Sequence, residues 1–163
     1  MIEHIEDPTE EMKTIAVFGD GLTIRHIKNP TEAQKLHAVV QNGHALKYIE
    51  NTTEEMKIIA VLKNGHALRY IKNPTEEMKI KAVQKMGGAL QHIENPTEEM
   101  KLSAVIQNGY AIQHIENPSE QVQLAAVRNH TCKQKAVLRM IANPTIRVLN
   151  FCNLEINWKL NGF

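Results

Sequence analysis

Aromatic side chains are scarce: one tryptophan, three tyrosines and three phenylalanines make up 4% of the 163 residues. Any core must therefore be aliphatic and thin. Cysteine is scarcer still. Cys132 and Cys152 are the only two, too few for a disulfide framework, so free thiols in a reduced, cytoplasmic compartment are expected. No apolar run approaches the ~20 residues that span a bilayer, which predicts no membrane association. The opening Met1-Ile2-Glu3-His4-Ile5 lacks the basic and apolar regions of a signal peptide. An excess of one charge is missing too. The 19 basic residues face 18 acidic ones, a net +1, so no global field draws the chain to nucleic acid or anionic lipid. The balance is uneven along the chain: Met1 to His114 carries 13 basic and 15 acidic residues, and Ile115 to Phe163 carries 6 and 3.

What the chain has in abundance is repetition. The phrase Ile-x-Asn-Pro-Thr-Glu-Glu-Met-Lys-x-x-Ala-Val-x-x-Asn-Gly-x-Ala-Leu-x-His/Tyr starts at Ile5, Ile27, Ile49, Ile71, Ile93 and Ile115, with a decayed seventh copy at Ile141. A fixed period of 22 residues marks an array whose units pack on their neighbours. The expected fold is all-α, a single α-solenoid domain over 1–163. It divides into a truncated leading repeat (1–4), five regular repeats (5–114), a sixth with a four-residue basic insertion (115–140) and a C-terminal capping segment (141–163).

The copy from Ile93 to His114 shows how one unit folds. Asn95-Pro96-Thr97-Glu98 reads as a helix start, with Asn at the N-cap, Pro at the first helical position and Glu at the third. The helix is expected to end near Gln107 or Asn108, where Asn108-Gly109 supplies a residue tolerant of positive φ. A shorter second helix follows from Tyr110. Recurring Ala (Ala16, Ala38, Ala60, Ala82, Ala104, Ala126), Val (Val17, Val39, Val61, Val83, Val105, Val127) and Leu or Ile (Ile24, Leu46, Leu68, Leu90, Ile112) predict the core. Glu and Lys recur at i,i+3 spacing, as at Glu54 and Lys57, and are expected to form a solvated outer face.

The stretch from Asn95 to Ile115, Asn-Pro-Thr-Glu-Glu-Met-Lys-Leu-x-Ala-Val-x-x-Asn-Gly-x-Ala-Ile-x-His-Ile, resembles short helical repeats of phage, giant-virus and bacterial proteins. Those repeats are similar to HEAT and variant leucine-rich α-solenoids. The resemblance runs from about Ile5 to Thr145. It implies a scaffold and, by analogy, macromolecular recognition without catalysis or cofactor. It also suggests a phage or viral origin, for which inhibiting a host protein in the host cytoplasm is a fitting role.

Departures from the phrase carry more functional information than the phrase itself. Met1-Ile2-Glu3-His4 matches the second-helix slot, so the first repeat presents an incompletely covered apolar end, through which self-association is one expectation. Gly19-Asp20-Gly21 has no ligand set for phosphate or calcium and reads as a loosened helix end. Gln34 replaces Met, which predicts a half-buried column there. In the sixth copy the Asn-Gly turn is missing, and the stretch from Arg128 to Lys135 is either a fused helix or a basic loop. Arg128, Lys133, Lys135, Arg139 and Arg147 gather there as a candidate phosphate, nucleic-acid or acidic-protein patch, although no interleaved aromatics offer base stacking. His130-x-Cys132 with Cys152 falls short of the four paired ligands of a structural zinc site, so no metal is expected. In the last copy Phe151, Trp158 and Phe163 are expected on a capping face, with Asn150, Asn153 and Asn157 in water.

The short helices carry the second candidate site. Leu22, His44, His66, Gly88 and Tyr110 stand four residues before His26, Tyr48, Tyr70, His92 and His114, with Arg25, Lys47, Arg69, Gln91 and Gln113 between. At i,i+4 spacing on a helix these make a ribbon rich in His, Tyr and Arg. The partner-binding candidates are Arg25, His44, Lys47, Tyr48, His66, Arg69, Tyr70, His92, Tyr110 and His114. No Walker or dinucleotide fingerprint appears, and no catalytic constellation is apparent. The sequence thus points to a non-enzymatic scaffold that binds a protein, with nucleic-acid binding through the sixth-repeat patch as the alternative.

Overall fold

The computed structural model describes residues 5–129 and 134–152. Among the described residues there are eight α-helices, five 3-10 helices and no strand, an α-solenoid of paired helices. The α-helices are α1 (Glu10–Gly19), α2 (Glu32–Gln41), α3 (Glu54–Lys63), α4 (Glu76–Lys85), α5 (Glu98–Gln107), α6 (Glu120–Arg128), α7 (Gln134–Leu138) and α8 (Ile146–Phe151). The 3-10 helices are Gly21–His26, Gly43–Tyr48, Gly65–Tyr70, Gly87–His92 and Gly109–His114. The chain packs as two compact units, Met1–Lys85 and Met86–Phe163.

Helix starts follow one recipe, and it differs from the one expected. The N-cap is Thr or Ser, at Thr9, Thr31, Thr53, Thr97, Ser119 and Thr145, each accepting the backbone N–H three residues on. The Asn of the Asn-Pro motif lies outside the helix. Asn29, Asn51, Asn73 and Asn117 adopt φ of 53°, 53°, 55° and 49°, a left-handed conformation that Asn tolerates better than most residues. The following proline therefore precedes the cap, as does its replacement Thr52, which costs the helix nothing.

Helix ends are set by the Asn of Asn-Gly, again with an unexpected role. Asn42, Asn64 and Asn108 have φ near −150° (−147°, −148° and −153°), which is extended backbone. Their side chains accept the N–H two residues on, at 3.0, 3.0 and 3.1 Å, which starts the 3-10 helix. Asp20 does the same for Leu22 at 2.9 Å, so the first repeat's α1 is ten residues long, like α2, and is not loosened. Glycine is required next because of space. A Cβ on Gly21, Gly43 or Gly87 would overlap the carbonyl oxygen of Ala38, Ala60 or Ala104 in the following α-helix. That carbonyl already accepts its own helix's closing N–H, as from Asn42 to Ala38 and from Asn64 to Ala60, both at 2.8 Å.

Within Met1–Lys85, each 3-10 helix packs on the α-helix that follows it, and α1 through α4 pack in sequence. Ala38, Ala60 and Ala82 and Val17, Val39, Val61 and Val83 are wholly buried, with Ile24, Leu46 and Leu68 filling the space beneath the 3-10 helices. The small Ala permits close helix approach, toward the low end of the ~8–10 Å range. The column predicted to be half-buried is fully buried from the second copy on, where Met56 and Met78 are 2–3% exposed and Gln34 is 4% exposed; Met12, its first member, is 48% exposed. Gln34 manages this because its amide donates to Glu10 Oε2 (3.2 Å) and Thr14 Oγ1 (3.1 Å) while its oxygen accepts from Thr31 N (3.0 Å). A buried amide with its hydrogen bonds met costs little.

Within Met86–Phe163 the same pattern holds for the 3-10 helices on α5 and α6, with α5 against α6. The sixth repeat then departs. After α6 the chain turns at Asn129, whose Nδ2 donates to the carbonyls of Val105 (3.3 Å) and Ile106. Residues 130–133, half of the stretch from Arg128 to Lys135, lie outside the described residues. The second helix of this repeat is the α-helix α7 in place of a 3-10 helix. With 3.6 residues per turn, its core contact falls on Val137, four residues before the buried Ile141, where the 3-10 copies use the third residue before. The last helix, α8, covers α6 with Val148 and Leu149 while Asn150 is exposed, as a cap should. Phe151 is not on that face; it is 40% exposed. Asn153, Asn157, Trp158 and Phe163 lie outside the described residues.

The glycine contact gives a sign test. Gly43→Ala is expected to lower the urea midpoint by the equivalent of about 1–3 kcal/mol through overpacking. Thr53→Ala is expected to cost about 1 kcal/mol through the lost cap. Gly19→Ala, where nothing lies within 4 Å of the added carbon, should instead raise the midpoint.

Candidate functional site

The predicted ribbon is carried by 3-10 helices, which changes its geometry. At three residues per turn, i aligns with i+3, so the i,i+4 face expected from an α-helix does not form. His44 therefore lines up with Lys47, and His66 with Arg69, while Tyr48 and Tyr70 follow the buried Ala45 and Ala67 around the turn. What results is a row of sequence-adjacent cation–ring pairs. Lys47 Nζ stands 5.4 Å from the Tyr48 ring centroid, and the Arg69 guanidinium 5.2 Å from that of Tyr70. In the repeat before, Arg25 Nε donates to His26 Nε2 at 2.7 Å.

Repeats are also tied to one another along this row. Asn64 Oδ1 is occupied as the acceptor of the His66 N–H, which leaves Asn64 Nδ2 to donate to His44 Nε2 at 2.7 Å. The His44 ring meets Tyr70 edge-on, with centroids 6.0 Å apart. His44 and Tyr70 are half-buried, whereas Lys47, Tyr48 and Arg69 are exposed. Thus Arg25, His44, Lys47, Tyr48, His66, Arg69 and Tyr70 all belong to Met1–Lys85, on three consecutive 3-10 helices that pack side by side. His92, Tyr110 and His114 belong to Met86–Phe163 and are half-buried, and Gln113 Nε2 lies 3.2 Å from His114 Nε2.

Of the basic residues, Arg128, Lys135, Arg139 and Arg147 are exposed, and Lys133 lies outside the described residues. Arg128 and Arg147 meet in one shallow depression with Leu124, Asn150 and Phe151. The Arg128 guanidinium stands over the Phe151 ring at 5.3 Å, and Arg147 Nε lies 3.2 Å from Glu120 Oε1. The patch therefore does contain an aromatic, contrary to the reading of the sequence. His130 and Cys132 lie outside the described residues; Cys152 is free and half-buried, and burial pushes its thiol pKa up.

Two surface columns escaped sequence reasoning. In two places the residue after the buried Val of one repeat meets the residue before the Ala position of the next. Phe18 stacks on His37 in this way, with centroids 3.5 Å apart, and Arg128 on Phe151 occupies the same two register positions. Leu62 and Ile106, also one past Val, are exposed. An apolar residue recurring outside the Ala-Val pair was the available signal. The expected Glu–Lys pairs do form, as Glu10–Lys13 (2.6 Å), Glu32–Lys35 (2.7 Å), Glu54–Lys57 (2.6 Å) and Glu76–Lys79 (2.5 Å). Lys13 holds Glu10 below its ordinary carboxylate value by that hydrogen bond.

At the α1 end, Met12 and Ile15, 48% and 64% exposed, line an apolar depression with Ile5 and Leu22, and Phe18 is 54% exposed. Residues 1–4, predicted to fill a second-helix slot there, lie outside the described residues. Comparison with protein-family models, with curated proteins and with solved structures finds no match to this chain.

The raised Cys152 pKa sets its chemistry, because only the thiolate attacks an alkylating agent. In a Cys132→Ser variant, iodoacetamide is expected to modify Cys152 more slowly at pH 8 than a cysteine in an unstructured peptide. The gap should close as the pH rises toward the displaced pKa.

Proposed function

We propose that this chain is a non-enzymatic repeat scaffold that binds another protein through the 3-10 row of Met1–Lys85. The observation that carries the reading is the pairing of a cation with a tyrosine ring in consecutive repeats, at Lys47–Tyr48 and Arg69–Tyr70. Tyr and Arg dominate the energetics of protein interfaces because each offers a flat, amphipathic surface. The His44–Asn64 hydrogen bond and the His44–Tyr70 contact hold the row in register, which lowers the ordering cost on binding. The resemblance to phage and viral repeats extends the reading to a phage or viral protein that inhibits a host protein in the host cytoplasm.

The test begins with affinity capture from a host lysate and identification of the retained protein. Replacing Tyr48, Arg69 and Tyr70 together by Ala is expected to weaken the purified complex by about 30-fold or more. Unchanged affinity with intact helical circular dichroism would sink the reading.

A separable reading is pairing of two copies through the α1 end, favoured by the exposure of Met12, Ile15 and Phe18. Light scattering is then expected to show a mass that rises with concentration and returns to that of a monomer in Ile15→Lys. A monomer at every concentration would remove it.

A further inference from the structure

We propose that the depression between α6 and α8 is a binding site for single-stranded nucleic acid. A base would lie on the Arg128–Phe151 platform, with an adjacent phosphate on Arg147. Three observations converge on this chemistry. The Arg128 guanidinium carbon stands over the Phe151 ring, 5.3 Å from its centroid, and Phe151 remains 40% exposed, so a ring and a planar cation sit side by side at the surface. Exposed rings and guanidinium planes are what unpaired bases stack on. Arg147 projects beside them, its side chain 77% exposed. Glu120 Oε1 lies 3.2 Å from its Nε, and a guanidinium carries five N–H donors, more than one carboxylate oxygen takes up.

Charge complements the platform. No Asp or Glu occurs from Gln121 to Cys152, whereas Arg128, Lys133, Lys135, Arg139 and Arg147 all do. Lys135 and Arg139 are exposed on and just after α7, which packs against the same α6. The local field therefore favours a polyanion although the whole chain is nearly neutral. The aromatic decides which polyanion. A duplex hides its base faces, whereas a single strand offers a base to the Phe151 ring and the Arg128 guanidinium at every nucleotide, with a phosphate beside it for Arg147.

The site is independent of the 3-10 row, so the Tyr48, Arg69, Tyr70 triple variant should bind oligonucleotides as the parent does. The measurement is fluorescence anisotropy with labelled 12-nucleotide oligouridylate and oligothymidylate, and with a 12-base-pair duplex, at 50 to 200 mM salt. Single strands are expected to bind more tightly than the duplex, with affinity falling steeply as salt rises. Phe151→Leu should weaken single-strand binding by about five-fold or more while leaving the salt slope unchanged. Arg128→Lys, an exposed change that keeps the charge and removes the plane, should do the same. Arg147→Gln should reduce the salt slope by about 0.7.

Equal affinity for duplex and single strand would overturn the proposal. So would parent-like affinity in both Phe151→Leu and Arg128→Lys, absence of binding at 50 mM salt, or tighter binding of a phosphotyrosine peptide than of the oligonucleotides.

Discussion

Everything in this fold hangs on how closely one backbone approaches the next. The glycine that opens a 3-10 helix lies against the alanine carbonyl of the following α-helix, with no room for a single added carbon at Gly21, Gly43 or Gly87. That contact fixes the spacing of neighbouring repeats, and the spacing sets which side chains suit the interior. Ala and Val fill the shared wall, Leu or Ile fills the space under the 3-10 helix, and larger rings are left to the surface. The scarcity of aromatics follows from this geometry. The approach also leaves backbone groups that must find partners across the junction, as when Gln107 Oε1 accepts the Gly87 N–H at 2.7 Å.

Much of this was legible in the letters, and the illegible part has identifiable causes. The period, the Ala and Val columns and the α-helix ends were readable because burial imposes the same residue on every copy. The caps were misassigned because Asn and Thr are both competent N-caps. Only the backbone places Asn29 at φ 53° and hands the cap to Thr31. Six residues cannot distinguish a period of 3.0 from one of 3.6, so the 3-10 character of Gly43–Tyr48 was hidden, and with it the true alignment of His44 with Lys47. Gln34 was misjudged because its burial depends on Glu10 and Thr14, more than one helix away in sequence.

The two candidate surfaces differ in how they arise. The cation–tyrosine row sits on the 3-10 helices, where Ala45 and Ala67 anchor the inner side and the exposed residues, Lys47, Tyr48 and Arg69, fall at the end of the helix. The Arg128–Phe151 platform instead depends on the break in the sixth repeat. Losing Asn-Gly there ends α6 at Asn129 in a helical conformation, φ −73° and ψ −12°, and puts an α-helix in the place of a 3-10 helix. The interior still closes, through Val137 and Ile141, so the irregularity is tolerated by the core and expressed outside it.

The outer pairing of Phe18 with His37 and of Arg128 with Phe151 joins the residue after the Val position of one repeat to the residue before the Ala position of the next. Each of these two pairs thus draws its partners from two neighbouring repeats. Copying, deleting or shuffling a 22-residue unit preserves the glycine–alanine junction while creating new neighbours on the outside. Chemical variety on that face can accumulate by recombination alone, before any point substitution and without disturbing a buried atom.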